Sequence, residues 1–308
     1  MTLAFVFPGQ GSQTVGMLSD SAASVADSFN EASEALGYDL WALVQQGPEA
    51  QLNQTEFTQP ALLTASVALW RLWNQSNTPI KFLAGHSLGE YSALVAAGVM
   101  SLAEGARIVQ TRGRLMQEAV PIGEGGMAAI MGLTDQQIAA ACVEAEARVQ
   151  AGRVQPANLN APGQVVISGT MEALNAAISL CQEAGAKRAI ALNVSAPFHS
   201  ELMRPAAEQL ASSLEQIDFQ APTIPVLQNV LAAPCEDPEE IKSNLITQMF
   251  SAVRWTETIE YLEAQGVTSV VECGPGKVLS GLNRRISKAV SVHNLDSDVA
   301  ATELKAVV

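Results

Sequence analysis

The pentapeptide Gly85-His86-Ser87-Leu88-Gly89 constrains this 308-residue chain more than any other stretch. The apolar run Phe82-Leu83-Ala84 leads into it, and a helical pattern from Glu90 to Ala97 leads out. A G-x-S-x-G sequence between a strand and a helix reads as a nucleophile elbow, a strained turn that pushes the serine hydroxyl into solvent at a helix N-terminus. The flanking glycines leave room for that turn. Free N–H groups and the helix dipole there favour a developing negative charge. Glycine and serine also build ordinary βα turns, so the pentapeptide alone leaves a plain turn open as well.

Composition narrows the setting. Hydrophobic residues make up 48% and charged residues 16% of the chain, which suits a packed α/β protein and argues against disorder. Apolar runs such as residues 93–100 are too short to span a bilayer, so no membrane association is expected. The opening Met1-Thr2-Leu3-Ala4-Phe5-Val6-Phe7 has no basic region and is ended by Pro8-Gly9. It reads as a buried first strand and not as a signal peptide. The four cysteines, Cys142, Cys181, Cys235 and Cys273, form no C-x-x-C pair. That spacing fits reduced thiols in the cytoplasm and gives no metal site, and three histidines add none. A net charge of −14 disfavours nucleic acid binding. Lys277, Arg284, Arg285 and Lys288 form the one concentrated positive stretch, ordinarily a solvated helix face.

Strand and helix patterns alternate along the first part: a strand over residues 4–7, helices over 21–36 and 59–73, the elbow, and a helix over 101–118. Ser101 and Glu104 have the spacing of a capping box. Such alternation predicts a parallel sheet covered by helices. A breaker cluster at residues 121–126 then reads as a hinge. After it come a strand (127–132), a helix (135–149), strands (154–158 and 165–168), a helix (171–184) and a strand (188–194). This β-α-β-β-α-β order matches a ferredoxin-like unit. It is expected as a small subdomain, 124–194, inserted between segments 1–123 and 195–308 of the larger domain. The α/β pattern resumes with helices over 201–216, 238–250 and 256–265 and strands over 224–227 and 269–273.

A nucleophilic Ser87 needs a base, and the candidates are His86, His199 and His293. His86 adjoins the nucleophile and is placed to support the turn. His293 lies near the C-terminus, where serine hydrolases usually keep their base. His199 follows Ala196-Pro197-Phe198 at the return from the insertion, where a loop would face the cleft, and that location favours it. The loop Pro8-Gly9-Gln10-Gly11-Ser12 lacks the third glycine of a dinucleotide cradle, and Gly274-Pro275-Gly276-Lys277 is followed by Val278 and not Ser or Thr. The first loop is better suited to lending an N–H to an oxyanion hole. Arg107 and Arg114 read as surface arginines whose stems lie along the helix. Arg112 lies in the same apolar helical stretch; pointed into a cleft it would pair with a substrate carboxylate.

Taken together these segments resemble the malonyl-CoA:acyl carrier protein transacylases of bacterial fatty acid synthesis. The resemblance covers essentially the whole chain. Phe5 to Gln13, Gly85 to Leu94, Arg112-Gly113 with Met116-Gln117, Asn160 to Ile167, Phe198-His199 and Glu272 to Leu279 carry it. It implies an α/β-hydrolase-like domain with a ferredoxin-like insertion, and malonyl transfer by a ping-pong route through a malonyl-serine ester. Ser87 would be the nucleophile, His199 the general base, and the Gln10 and Leu88 amides the oxyanion hole. Arg112 would bind the malonyl carboxylate, and the Gln248 backbone carbonyl would orient His199. Phe198 resembles the residue with which related polyketide acyltransferases favour malonyl over methylmalonyl units. The partners implied are malonyl-CoA and acyl carrier protein, with no cofactor and a monomeric chain. Acyl carrier protein is acidic, so the stretch from Lys277 to Lys288 becomes the expected docking face. A serine esterase using His293, and a non-enzymatic scaffold on the same fold, are the rival readings.

Overall fold

The computed structural model describes residues 2–73, 79–194 and 196–307; Met1, Ser195 and Val308, at the bounds of the expected larger domain, lie outside the described residues. The described strands form two sheets. The larger holds β1 (Leu3–Phe7), β2 (Ile80–Gly85), β7 (Val226–Gln228), β8 (Ala233–Cys235), β9 (Ser269–Cys273) and β10 (Ser291–Leu295). The smaller holds β3 (Gly125–Met131), β4 (Val154–Ala161), β5 (Gln164–Thr170) and β6 (Arg188–Ala191).

The larger sheet runs β10-β9-β1-β2-β7-β8, parallel throughout except where β8 pairs antiparallel with β7. β1 is buried along its whole length, as an unbroken apolar strand must be inside a sheet covered on both faces. Its side chains alternate. Phe5 and Phe7 point to one face, where Phe5 meets Trp70 at 5.2 Å and Trp73 at 5.3 Å between ring centres. Ala4 and Val6 point to the other, packing with Trp255 and Ile259. Helices Ala22–Leu36, Thr55–Trp73, Leu88–Ala96 and Leu102–Glu118 supply the first core, and Trp255–Ala264 and Val278–Ile286 the second. Leu102–Glu118 starts with the expected capping box: Ser101 Oγ accepts the Glu104 N–H at 3.2 Å, and the Glu104 carboxylate accepts the Ser101 N–H at 2.9 Å.

The smaller sheet is antiparallel, in the order β4-β5-β3-β6, with helices Asp135–Arg148 and Met171–Glu183 between β3 and β4 and between β5 and β6. Ala128, Ile130, Val165 and Ile167 face those two helices and make a separate core. Met127 and Val166, on the opposite face, join the core of the larger sheet. The smaller sheet is tied to the loop before Trp255–Ala264 at Val253, which donates to Ala157 O and accepts from Leu159 N, both at 2.9 Å.

Several boundaries differ from expectation. Asn160 and Ala161 belong to β4, so the turn to β5 is only Pro162-Gly163, and β6 stops at Ala191. The helix expected from 201 divides into a 3-10 turn, Glu201–Met203, and Arg204–Leu214, where Pro205 in the first turn removes an N–H that has no helical partner anyway. No helix among the described residues is long and apolar enough to cross a membrane.

Candidate active site

Parallel pairing places Phe7 level with Gly85, so the loops leaving β1 and β2 are neighbours. β7 pairs with the other side of β2 and ends beside the same crevice. The carboxyl ends of parallel strands are where open α/β sheets gather ligands. Ser87 sits there at φ 52°, a left-handed value that only surrounding constraints impose on a serine. A Cβ on Gly89 would lie 2.0 Å from the Phe7 carbonyl oxygen, and one on Gly85 1.9 Å from the Gly89 backbone, so neither position admits a side chain. The Ser87 N–H donates to Asn229 Oδ1 at 2.7 Å, and Asn229 Nδ2 donates to the Gly85 carbonyl at 2.6 Å.

Ser87 Oγ lies 2.7 Å from His199 Nε2, and His199 Nδ1 lies 2.8 Å from the Gln248 backbone carbonyl. A carbonyl only accepts, so Nδ1 carries the proton and Nε2 is free to accept from the serine hydroxyl. Burial, and secondarily the Arg112 guanidinium, lower the His199 pKa to about 3. The imidazole is therefore neutral near pH 7, as a general base must be. His86 turns elsewhere, its Nε2 2.8 Å from Asn160 Oδ1 and its ring 5.5 Å from that of Trp255. His293 lies on β10, with β9 and β1 between it and the elbow strand, so the esterase reading loses its base.

Arg112 is only 1% exposed, whereas Arg107 and Arg114 are exposed as expected. Its Nη1 donates to Gln59 Oε1 at 2.9 Å, and its Nη2 to Gln248 Oε1 at 2.8 Å and Ser87 Oγ at 3.1 Å. No carboxylate lies within ion-pair distance of it among the described residues. A buried guanidinium held by neutral acceptors alone is suited to receive an incoming carboxylate.

Gln10 and Leu88 border the same cavity, about 130 Å³, with Ser87, Arg112, Phe198 and His199. Neither the Gln10 nor the Leu88 amide has an acceptor among the described residues. Met127 and Val166 of the smaller sheet close the opposite wall. Three contributors escape the sequence reading: Gln59, Asn229 and Glu90. Glu90 is fully buried, and its Oε2 accepts from Gln248 Nε2 and the Asn229 N–H, both at 2.9 Å. Burial raises its pKa to about 7. The signal for Glu90 was its place directly after the elbow; the two amides leave none. Lys277, Arg284, Arg285 and Lys288 are exposed on and around Val278–Ile286, and Arg285 reaches Gln164 of the smaller sheet.

The model of the acyl transferase domain family matches residues 4–302. Malonyl CoA-acyl carrier protein transacylase of Salmonella typhimurium is 55% identical over 303 residues, 96% of either chain. The crystal structure of an acyl carrier protein S-malonyltransferase from Vibrio cholerae superposes with a TM-score of 0.95 at 52% identity, covering 99% of this chain and 100% of that one. A malonyl-transacylase solved in complex with its type II PKS acyl-carrier protein gives 0.97 at 49% identity over 100% of both chains.

Proposed function

The chain belongs to the acyl transferase family, and from that premise we propose that it moves a malonyl group from malonyl-CoA to the phosphopantetheine thiol of acyl carrier protein, in fatty acid synthesis. The observation that carries this reading is the buried, carboxylate-free Arg112 guanidinium 3.1 Å from the Ser87 hydroxyl. It gives the nucleophile an acyl substrate that ends in a negative charge.

His199 Nε2 takes the Ser87 proton as Oγ attacks the thioester carbonyl. The Gln10 and Leu88 amides receive the oxyanion. The carbon–sulfur bond then breaks, and coenzyme A leaves as the thiol with the proton from His199. In the second half the carrier's pantetheine thiol gives its proton to His199 and attacks the malonyl-serine ester. Collapse releases malonyl-carrier and restores the Ser87 hydroxyl, a ping-pong cycle. Gln248 orients the base through its backbone carbonyl, so no acidic third member is required.

The larger sheet with its helices forms an α/β-hydrolase-like domain, 1–123 and 195–308, and 124–194 is a ferredoxin-like subdomain that walls the cleft. The order β4-β5-β3-β6 supports the second assignment. The working unit is taken to be a monomer, because Ser87, His199 and Arg112 already meet within one chain at hydrogen-bond distance. Four buried free thiols suit a cytoplasmic setting. Phe198 in the cavity wall supports a preference for unbranched malonyl.

Intact-mass measurement after incubation with malonyl-CoA tests the reading. Ser87→Ala is expected to abolish the malonyl adduct; a persisting adduct would put the nucleophile elsewhere. Arg112→Ala is expected to lower malonyl transfer by about 2–5 kcal/mol, roughly 30- to several-thousand-fold, while acetyl transfer survives. Unchanged malonyl selectivity would discard Arg112 as the carboxylate receptor.

A further inference from the structure

Arg112 is a buried cation and Glu90, its pKa raised to about 7 by burial, is a buried carboxyl partly ionised near neutral pH; the width of one side-chain amide separates them. Gln248 supplies it: its Oε1 accepts from Arg112 Nη2 at 2.8 Å, and its Nε2 donates to Glu90 Oε2 at 2.9 Å and to the Ser87 carbonyl at 3.1 Å. The amide has one workable orientation, because a flip would set its NH₂ against the guanidinium and its oxygen against a carboxylate. Both ions also keep an open position. Arg112 Nε and Glu90 Oε1 have no hydrogen-bond partner among the described residues. In a buried site such charges attract strongly and would gain by meeting directly.

We propose that the Gln248 side chain is a spacer that keeps Arg112 and Glu90 from pairing, and is thereby a specificity-determining residue for carboxylated acyl groups. The proposal rests on Arg112 being the receptor for the malonyl carboxylate. Paired with Glu90, the guanidinium would be neutralised before substrate arrived, and malonyl would have to displace a carboxylate already in place. Polar but uncharged, Gln248 satisfies Arg112 and leaves its charge available. This task is separate from that of the Gln248 backbone carbonyl, which holds His199. A side-chain substitution leaves that carbonyl in the chain.

The test compares initial rates of acyl-enzyme formation from malonyl-CoA and acetyl-CoA, read by intact mass. Gln248→Leu removes the spacer; Gln248→Met, closer in shape to glutamine, repeats the measurement should the leucine variant fold poorly. Either is expected to lower the malonyl-over-acetyl preference by about tenfold to several-hundredfold. Adding Glu90→Gln removes the competing charge and is expected to restore at least about tenfold of that loss. A preference retained in both Gln248 variants, or a loss that Glu90→Gln does not reverse, overturns the spacer. Arg112→Ala serves as the control. If it keeps the malonyl preference, the receptor reading itself fails; if it loses the preference while the Gln248 variants keep it, the spacer alone falls.

Discussion

An imidazole whose conjugate acid forms only near pH 3 makes the base at Ser87 insensitive to mild acid. The cause is the shell around His199: burial first, then the positive charge of Arg112, against one stabilising bond to the Gln248 carbonyl. Protonation disables the base, so activity that depends on it persists above the folded-state pKa and is lost only below. Coenzyme A release in the first turnover is expected to stay level as pH falls through 6.5, the ordinary histidine value. A stopped-flow profile with an acid limb centred there, retained when Glu90→Gln removes the one neighbouring carboxyl raised to about 7, would show an imidazole in contact with water. Stability follows the same sign: between 6.5 and about 3 the unfolded chain binds the extra proton, so this group's contribution is complete above 6.5 and fades as pH falls. At this scale the elbow motif marked Ser87 locally and loop position favoured His199 among three histidines, whereas the role expected of Arg112 came from the family resemblance. Gln59 and Gln248 meet Arg112 from 53 and 136 residues away, and no local pattern marks an amide that far off as a neighbour.

The elbow is where element geometry and chemistry depend on one another. β1, the turn and helix Leu88–Ala96 pass so closely that Gly89→Ala would drive a methyl to 2.0 Å from the Phe7 carbonyl oxygen. The strain cannot relax into a flexible side chain, because the atoms met are backbone atoms of Phe7 and Pro8. Overpacking of this kind costs about 1–3 kcal/mol, occasionally more, and here it would also shift the Leu88 and Gln10 amides. Gly89→Ala is therefore expected to lower Tm by a few °C and to slow serine acylation together. Ser101→Ala, which removes the cap of Leu102–Glu118, is expected to cost a comparable ~1 kcal/mol without slowing acylation. Equal acylation by both variants would mean that the elbow tolerates displacement. β1, the elbow and the Ser101 cap were legible because each has its own residue grammar. The edge strands β8 and β10 were not: Ala233–Cys235 spans three residues, and Ser291–Leu295 breaks the polar–apolar alternation at His293-Asn294, so only the neighbouring strand defines it.

At the scale of the molecule, the cleft is the seam between two sheets whose connections cross at close quarters. A Cβ on Gly125, at the start of β3, would lie 2.6 Å from the Pro197 ring on the returning loop, so the breaker cluster serves contact as much as bending. Gln155 of β4 also donates to the His199 and Phe250 carbonyls, at 3.4 and 3.3 Å, tying the base-bearing loop to the smaller sheet. On the proposed function, an acidic carrier would deliver its pantetheine arm into this seam against a chain of net charge −14. Lys277, Arg284, Arg285 and Lys288 offer a local exception, and Arg285 reaches Gln164 across the seam. Lys277, 3.6 Å from Asp296, is partly offset, which leaves the arginines as the stronger attraction. Exposed charges act mainly on encounter and are screened over about 10 Å at 0.1 M salt. Arg284→Glu with Arg285→Glu is therefore expected to raise KM for the carrier several-fold at low salt and much less at high salt. Acylation by malonyl-CoA, which needs no carrier, should hold its rate in the same variant. A carrier KM unmoved at low salt would place the docking face elsewhere on the rim.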